Sequence, residues 1–128
     1  MSHPKEASGD PDPLSRPVLV VEDDAGLRAY LATILEGQGY SVIAAGSGEE
    51  ALKALGGRNA MLAVLDIGLP GMDGFAVAEH LGADVPVIVV TGDPLKAKMR
   101  SFGRSKPLTI IPKPVTAEQF EAALAAAL

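Results

Sequence analysis

Four apolar blocks of this sequence are each followed, within three residues, by side chains that can bind a cation, attack phosphorus or hold an anion. These side chains are Glu22, Asp23, Asp24, Asp66, Thr91 and Lys113. Carboxylates that converge in one cleft repel each other, and a divalent cation removes that conflict. Because the set offers oxygen ligands and neither His nor Cys, it predicts a Mg²⁺ site, with Mn²⁺ as the expected substitute.

Asp66 is the candidate nucleophile of this set. Carboxylates form aspartyl phosphates with phosphoryl donors, and a neighbouring divalent cation offsets the negative charge that develops during transfer. The Lys113 ammonium would contact one phosphoryl oxygen as a point charge, and the Thr91 hydroxyl would donate a hydrogen bond to another. The residue types therefore predict phosphoryl transfer to an aspartate side chain.

Each of these residues also has an ordinary structural explanation when it is taken alone. Asp23 or Asp24 can cap a helix, and Asp66 can belong to a turn. Lys113 can be a solvated loop lysine, and Thr91 can be another cap. Asp66, however, ends the most apolar block, where an unpaired carboxylate would be costly. One shared site explains the residues at the ends of all four blocks, whereas the ordinary explanations require four unrelated coincidences.

The apolar blocks are typical of strands in a parallel sheet. Continuous apolar runs suit strands that are buried on both faces, whereas a strand with one wet face would alternate. The predicted strands are residues 18–21, 41–45, 61–65, 85–90 and 108–111. In an open parallel sheet, sites form beyond the carboxyl ends of the strands, so the reactive side chains should gather at one edge.

Helix signals separate these strands. Apolar residues recur at helical spacing from Leu27 to Leu35, and this run ends near Gly37. Candidate caps for the later helices are Ser47 with Glu50, Asp73, Asp93, and Thr116 with Gln119. The alternation predicts an α/β fold, a (βα)5 parallel five-stranded sheet with helices on both faces.

Length and composition exclude several other classes of protein. With 128 residues, 48% of them hydrophobic, the chain has room for one globular domain. This domain is predicted over residues 16–128, and a flexible Pro-rich tail at residues 1–15 precedes it. The net charge of −5 argues against a nucleic-acid partner, and no apolar run is long enough to suggest a membrane span. The absence of cysteine is typical of the reducing cytoplasm, the expected location.

Four motifs resemble those of the receiver domain of bacterial response regulators, the CheY-like family. They are residues 18–24, 65–74, 89–92 and 112–114, and they occur in the order found in that family. The resemblance covers residues 17–128, which predicts a receiver of the stand-alone, single-domain type. It implies a doubly wound sheet with strand order 2-1-3-4-5.

The resemblance also implies roles for individual residues. The implied Mg²⁺ ligands are Asp23, Asp66 and the backbone carbonyl of Gly68, with Glu22 acting through water. Asp66 would accept the phosphoryl group from a histidine kinase or a histidine phosphotransfer protein. The Lys113–Pro114 peptide bond would be cis, an isomer that Pro makes accessible.

Two positions depart from the pattern of the family. Family members usually carry Tyr or Phe three residues before the lysine, where this chain has Ile110, so an aromatic relay to an output surface is not expected. Gly68, two residues after the acceptor, has no side chain to steer an attacking water. Asp93 could take that role.

A basic segment falls on the fourth predicted helix. Leu95, Met99 and Phe102 are predicted to face the core. The residues left on the outer face are Lys96, Lys98, Arg100 and Arg104. This face is either a solvated helix surface or a docking surface for an acidic downstream partner.

We therefore predict a response regulator that signals through partner binding or onward phosphotransfer, and not a turnover enzyme. Two alternatives stay open. A phosphohydrolase of the haloacid-dehalogenase type uses a similar residue set, but it needs a second aspartate where this chain has Gly68. A receiver-like interaction module that works without phosphorylation is the other alternative, and Ile110 favours it.

Overall fold

Five parallel strands form one sheet in the order β2-β1-β3-β4-β5 in the computed structural model, which describes residues 16–69, 71–100 and 108–128. The strands are β1 Val18–Val21, β2 Val42–Ala45, β3 Leu62–Leu65, β4 Val87–Thr91 and β5 Leu108–Pro112. Every strand begins and ends within two residues of its predicted bounds. The predicted fold class and strand order are confirmed, whereas the predicted tail at 1–15 lies outside the described residues.

Five helices alternate with the strands. They are α1 Ala25–Gly37, α2 Gly48–Leu55, α3 Gly74–Glu79, α4 Pro94–Arg100 and α5 Ala117–Ala127. Asp24, Ser47, Asp73 and Thr116 cap α1, α2, α3 and α5, since their side-chain oxygens accept backbone N–H groups that have no partner within the helix. In the described ranges, no helix combines the length and the apolar character that a bilayer span requires.

The sheet is buried on both faces. Val18 and Val20 pack with Phe120 in a cluster that joins α1 and α5 to one face, whereas Leu19 and Val21 pack in a cluster that joins α2, α3 and α4 to the other. All four residues of β1 are fully buried. This burial on both faces explains the continuous apolar runs in the sequence.

Only one of the two predicted capping boxes is complete. Thr116 and Gln119 exchange both hydrogen bonds at the start of α5. Ser47 accepts the N–H of Glu50 at 3.2 Å, but the Glu50 carboxylate accepts the N–H of Gly46 at 3.0 Å. The Glu50 side chain reaches one residue further back than a capping box requires, so it ties down the turn between β2 and α2.

Helix α4 buries the face opposite to the predicted one. Leu95 and Met99 were expected to face the core, but they are 67% and 63% exposed, while Ala97 is fully buried. Residues two positions apart lie about 200° apart around a helix, so burying Ala97 turns Leu95 and Met99 outward. The small Ala97 side chain lets the helix pack closely against the sheet, and a pattern based on bulky residues misses such a contact.

The basic residues of this segment are only partly described. Lys96 and Lys98 are exposed, as predicted. Phe102, Arg104 and the side chain of Arg100 lie outside the described parts of the chain.

Candidate functional site

The parallel ladder itself brings four predicted residues to one edge of the sheet. Glu22 follows β1, and Asp66 follows β3 with its N–H donating to the Val21 carbonyl at 3.1 Å. Thr91 ends β4, and its carbonyl accepts the N–H of Lys113 at 2.8 Å. These backbone hydrogen bonds align the carboxyl ends of neighbouring strands, so the side chains that follow the strands lie at the same edge of the sheet.

Lys113 connects two buried carboxylates. Its Nζ lies 2.8 Å from Asp66 Oδ2 and 3.2 Å and 3.3 Å from Glu22 Oε1 and Oε2. Glu22 is 2% exposed and Asp66 is 6% exposed. The Lys113–Pro114 bond is cis, as the resemblance implied. One ammonium thus faces two carboxylates that are largely withdrawn from water, and it can neutralise only one of two negative charges.

Burial makes Glu22 a weaker acid than an ordinary glutamate. The pKa of Glu22 is raised above its ordinary value of 4.5, chiefly because the carboxylate is desolvated, and the negative charge of Asp66 raises it further. Hydrogen bonds from the Asp24 N–H and from Lys113 oppose this shift. Glu22 Oε1 is buried, and although Lys113 Nζ lies 3.2 Å away, none of the described residues donates a hydrogen bond of suitable geometry to it. A cation, or a water bound to one, would satisfy this oxygen.

Lys113 is held in its charged form. Burial alone would lower the pKa of Lys113, but its hydrogen bonds to Asp66 and Glu22 and the charges of both carboxylates raise that pKa above the ordinary 10.5. The ammonium therefore carries its positive charge at neutral pH, next to carboxylates that outnumber it.

Three carboxylates form a cluster that could hold a metal ion. Oxygen atoms of Glu22, Asp23 and Asp66 lie within 4.8 Å of one another. Asp23 is exposed, so the cluster is open to solvent on that side. Asp24 belongs to α1 instead, because its Oδ1 accepts the N–H of Leu27 at 3.1 Å. The all-oxygen cluster, together with the unsatisfied Glu22 Oε1, fits a hard divalent cation such as Mg²⁺.

The side chain and backbone of Asp66 are both fixed in place. Oδ1 accepts the N–H of Gly68 at 2.8 Å, and Oδ2 accepts the Lys113 ammonium. Gly74, the first residue of α3, lies so close that a Cβ there would stand 2.6 Å from the Asp66 carbonyl oxygen. Only glycine fits at that position, because real Cβ contacts of this length do not occur.

Thr91 presents a buried hydroxyl beside this group. The residue is 2% exposed, and its Oγ1 accepts the N–H of Asp93 at 2.9 Å. The hydroxyl proton is not used in that bond, so it can be donated to an incoming oxygen. Asp93 Oδ1 accepts the N–H of Lys96 at 3.1 Å, which directs the carboxylate to the start of α4. The role of steering water stays a prediction for Asp93.

An open cleft of about 320 Å³ gives access to Asp66. It is lined by Asp66, Ile67, Gly68, Thr91, Gly92, Asp93, Lys96 and Lys113. Four predicted site residues therefore share one cleft, including Gly68, whose backbone carbonyl was a predicted ligand. The acidic cluster adjoins it through Asp66.

Sequence reasoning missed two contacts at this site. Arg28 Nη1 donates to the Glu22 carbonyl at 2.9 Å and holds the loop between β1 and α1. A Cβ at Gly46 would lie 3.0 Å from the same Nη1, so the small residue makes room for Arg28. No side-chain pattern could reveal a bond to a backbone carbonyl. Lys96 was assigned to the outer surface of α4, but it also lines the cleft.

The sequence model of the response regulator receiver domain family matches residues 18–125. The chain belongs to this family. Ile110, where most receivers have an aromatic ring, is half-buried and packs against the core cluster on the side of α2, α3 and α4.

Curated relatives of this receiver domain include two regulators. The probable transcriptional regulator ycf27 of Porphyridium aerugineum is 42% identical over 76 residues, which are 58% of this chain and 32% of that protein. The DNA-binding response regulator MtrA of Mycobacterium tuberculosis is 39% identical over 82 residues, which are 62% of this chain and 36% of that protein. The receiver domain thus spans about a third of the length of these relatives.

Solved structures share the fold over nearly the whole domain. A CheY-like receiver domain protein from Methanospirillum hungatei has a TM-score of 0.76 and 28% identity, covering 88% of this chain and 92% of that one. The receiver domain of NtrX from Brucella abortus has a TM-score of 0.71 and 29% identity, covering 87% and 97%. The chemotaxis protein CheY4 of Vibrio cholerae, at 22% identity, shares the fold with a TM-score of 0.76, covering 89% and 99%.

Proposed function

We propose that this receiver domain is a response regulator that accepts a phosphoryl group on Asp66 in a Mg²⁺-dependent reaction. The donor would be a histidine kinase or a histidine phosphotransfer protein. The observation that carries the proposal is the Lys113 ammonium 2.8 Å from Asp66 Oδ2, beside an acidic cluster and a buried hydroxyl. Structural ion pairs rarely need all three features at the mouth of one open cleft.

Glu22, Asp23, Asp66 and the backbone carbonyl of Gly68 would hold the metal. When bound there, the cation supplies positive charge that offsets the charge of the phosphoryl oxygens. Glu22 would hold it, directly or through water, in its deprotonated form, so metal binding should weaken as acidification protonates this carboxyl, whose pKa is raised by burial.

Asp66, Lys113 and Thr91 would each have a separate role in the transfer step. One carboxylate oxygen of Asp66 forms a bond to phosphorus while the bond from phosphorus to the donor nitrogen breaks, and the electron pair leaves on the imidazole. The Lys113 ammonium, now 2.8 Å from Asp66, would follow the negative charge onto a phosphoryl oxygen. The Thr91 hydroxyl would turn to donate a hydrogen bond to another oxygen.

Output would follow from partner binding or onward phosphotransfer, and the domain would not act as a turnover enzyme. We propose that α4 provides the docking surface for an acidic downstream partner. Lys98 and the exposed Leu95 and Met99 together offer charge and apolar area. Replacing Lys98 by Glu should weaken binding of the downstream protein in a pull-down or titration, because the charge complementarity is reversed. An unchanged affinity would reject α4 as the docking surface.

Phosphorylation itself can be tested with a small acyl phosphate and Mg²⁺, followed by intact-mass measurement. The wild-type chain should gain one phosphoryl group, and the adduct should be lost at alkaline pH because acyl phosphates hydrolyse there. Asp66→Asn should abolish the adduct, since an amide is a poor nucleophile, and chelation of Mg²⁺ should have nearly the same effect.

The other outcomes of this assay identify the alternatives. An adduct that persists in Asp66→Asn would place the acceptor elsewhere. Sustained release of phosphate from a phosphate ester would favour the phosphohydrolase. A folded wild-type chain that forms no adduct would favour the phosphorylation-independent interaction module.

A further inference from the structure

Lys96 places a second ammonium in the cleft that contains Asp66. Among the described residues, two lysines line this cleft, Lys113 and Lys96. Lys113 is committed to the carboxylates of Asp66 and Glu22. Lys96 lies in the first turn of α4 with an exposed side chain, and its backbone N–H donates to Asp93 Oδ1. Asp93, which directly precedes α4, is thus hydrogen-bonded through Oδ1 to the helix backbone.

The two lysines hold different places relative to the reaction. In-line transfer puts the leaving group on the far side of phosphorus from the attacking Asp66 oxygen. Lys113 lies on the side of the nucleophile, since its Nζ is 2.8 Å from Asp66 Oδ2. The leaving group would depart towards the solvent side of the cleft, and the flexible four-carbon stem of Lys96, which also lines that cleft, would let its ammonium approach it.

We propose that Lys96 sets the preference among phosphoryl donors and favours small acyl phosphates, whose leaving group is an anion. The Asp66 oxygen bonds to phosphorus, the bond from phosphorus to the acyl oxygen breaks, and the electron pair leaves on a carboxylate that the Lys96 ammonium stabilises. With phosphoramidate, the bond from phosphorus to the protonated nitrogen breaks, and the pair leaves on neutral ammonia. A nearby cation does not help that departure.

This inference rests on the proposed role of Asp66, so its test compares two donors in one protein. Rates of adduct formation are measured over a range of donor concentrations for the wild type, Lys96→Ala, Lys96→Arg and Lys53→Ala. Lys53, in the last turn of α2, is the matched control for loss of one positive charge. A helix that follows a parallel strand runs back along it, so Lys53 lies at the opposite edge of the sheet.

Lys96→Ala should slow phosphorylation by a small acyl phosphate by about three- to tenfold, and phosphorylation by phosphoramidate by less than about twofold. Lys96→Arg should keep most of the wild-type preference because it keeps the charge. The effect should shrink as ionic strength rises, since the side chain is exposed. Lys53→Ala should change neither rate.

Two results would overturn the inference alone. One is an equal loss with both donors, which would make Lys96 a structural residue, and the other is no loss with the acyl phosphate. Thermal unfolding of each variant separates these results from misfolding. A wild-type chain that reacts with neither donor would instead reject the proposed function, and the donor preference with it.

Discussion

The Lys113→Met variant should lose about 3 kcal/mol of unfolding free energy at pH 8 in the absence of Mg²⁺. Removing one partner of a buried ion pair leaves the other charge uncompensated, and losses of about 3–5 kcal/mol are typical. Lys113 itself is 29% exposed, so the lower end of that range applies. Here the substitution leaves two carboxylates, Glu22 and Asp66, without the ammonium that they share.

The loss should be smaller at pH 5 than at pH 8. Without Lys113, two influences that lower the pKa of Glu22 disappear, so this pKa rises further above 4.5. A carboxyl whose pKa is higher in the folded chain than in the unfolded chain holds its proton more tightly when folded. Stability therefore falls as pH rises from 4.5 through the folded value, and acidification restores it. Lys113 stays charged across this range, because its pKa lies above 10.5.

Urea unfolding at both pH values measures these differences. Lys53→Met, which removes an exposed ammonium from α2, should change stability by less than about 0.5 kcal/mol at either pH. Mg²⁺ should recover part of the loss in Lys113→Met, because binding to the folded state alone stabilises that state. A Lys113→Met chain as stable as the wild type would mean that solvent already satisfies both carboxylates.

The order of strands and helices along the chain could be predicted because the sequence signals for them are local and redundant. Continuous apolar runs identify strands buried on both faces, and single helices between them allow only parallel crossovers. Caps such as Asp24 and Thr116 then fix where helices begin. The edge of the sheet that carries Asp66, Thr91 and Lys113 follows from this order, without any contact being known in advance.

The orientation of α4 and the fine structure of the site could not be predicted. Ala97 has too little apolar surface to stand out beside Leu95 and Met99, yet close packing selects the smaller residue. Arg28 contacts a backbone carbonyl, an acceptor that every residue carries. In both cases the deciding contact depends on backbone positions that are set only by the assembled sheet.

Gly74→Ala should cost about 2 kcal/mol of stability and slow phosphorylation by about tenfold or more. The added Cβ would stand 2.6 Å from the Asp66 carbonyl oxygen, 3.0 Å from the Asp66 carbonyl carbon and 3.2 Å from Leu65 Cβ. Two of these neighbours are backbone atoms, which cannot rotate away, so α3 and the end of β3 must separate. Overpacking of this kind typically costs about 1–3 kcal/mol.

The effect on phosphorylation follows from where that separation occurs. Asp66 is held between the Gly68 N–H and the Lys113 ammonium, so a moved Asp66 backbone misplaces both hydrogen bonds. A misplacement of about 1 Å can cost about a hundredfold in rate. Urea unfolding and the acyl-phosphate assay measure the two effects on the same sample.

Gly37→Ala is the matched control, because a Cβ at this residue at the end of α1 would meet nothing within 4 Å. That variant should be unchanged in phosphorylation and equal to the wild type or slightly higher in stability, since Ala is a better helix former. If Gly74→Ala lost stability but its folded fraction reacted at the wild-type rate, the close contact would support the fold alone. A loss of both stability and phosphorylation rate would show that Asp66 can take its position only because Gly74 has no side chain.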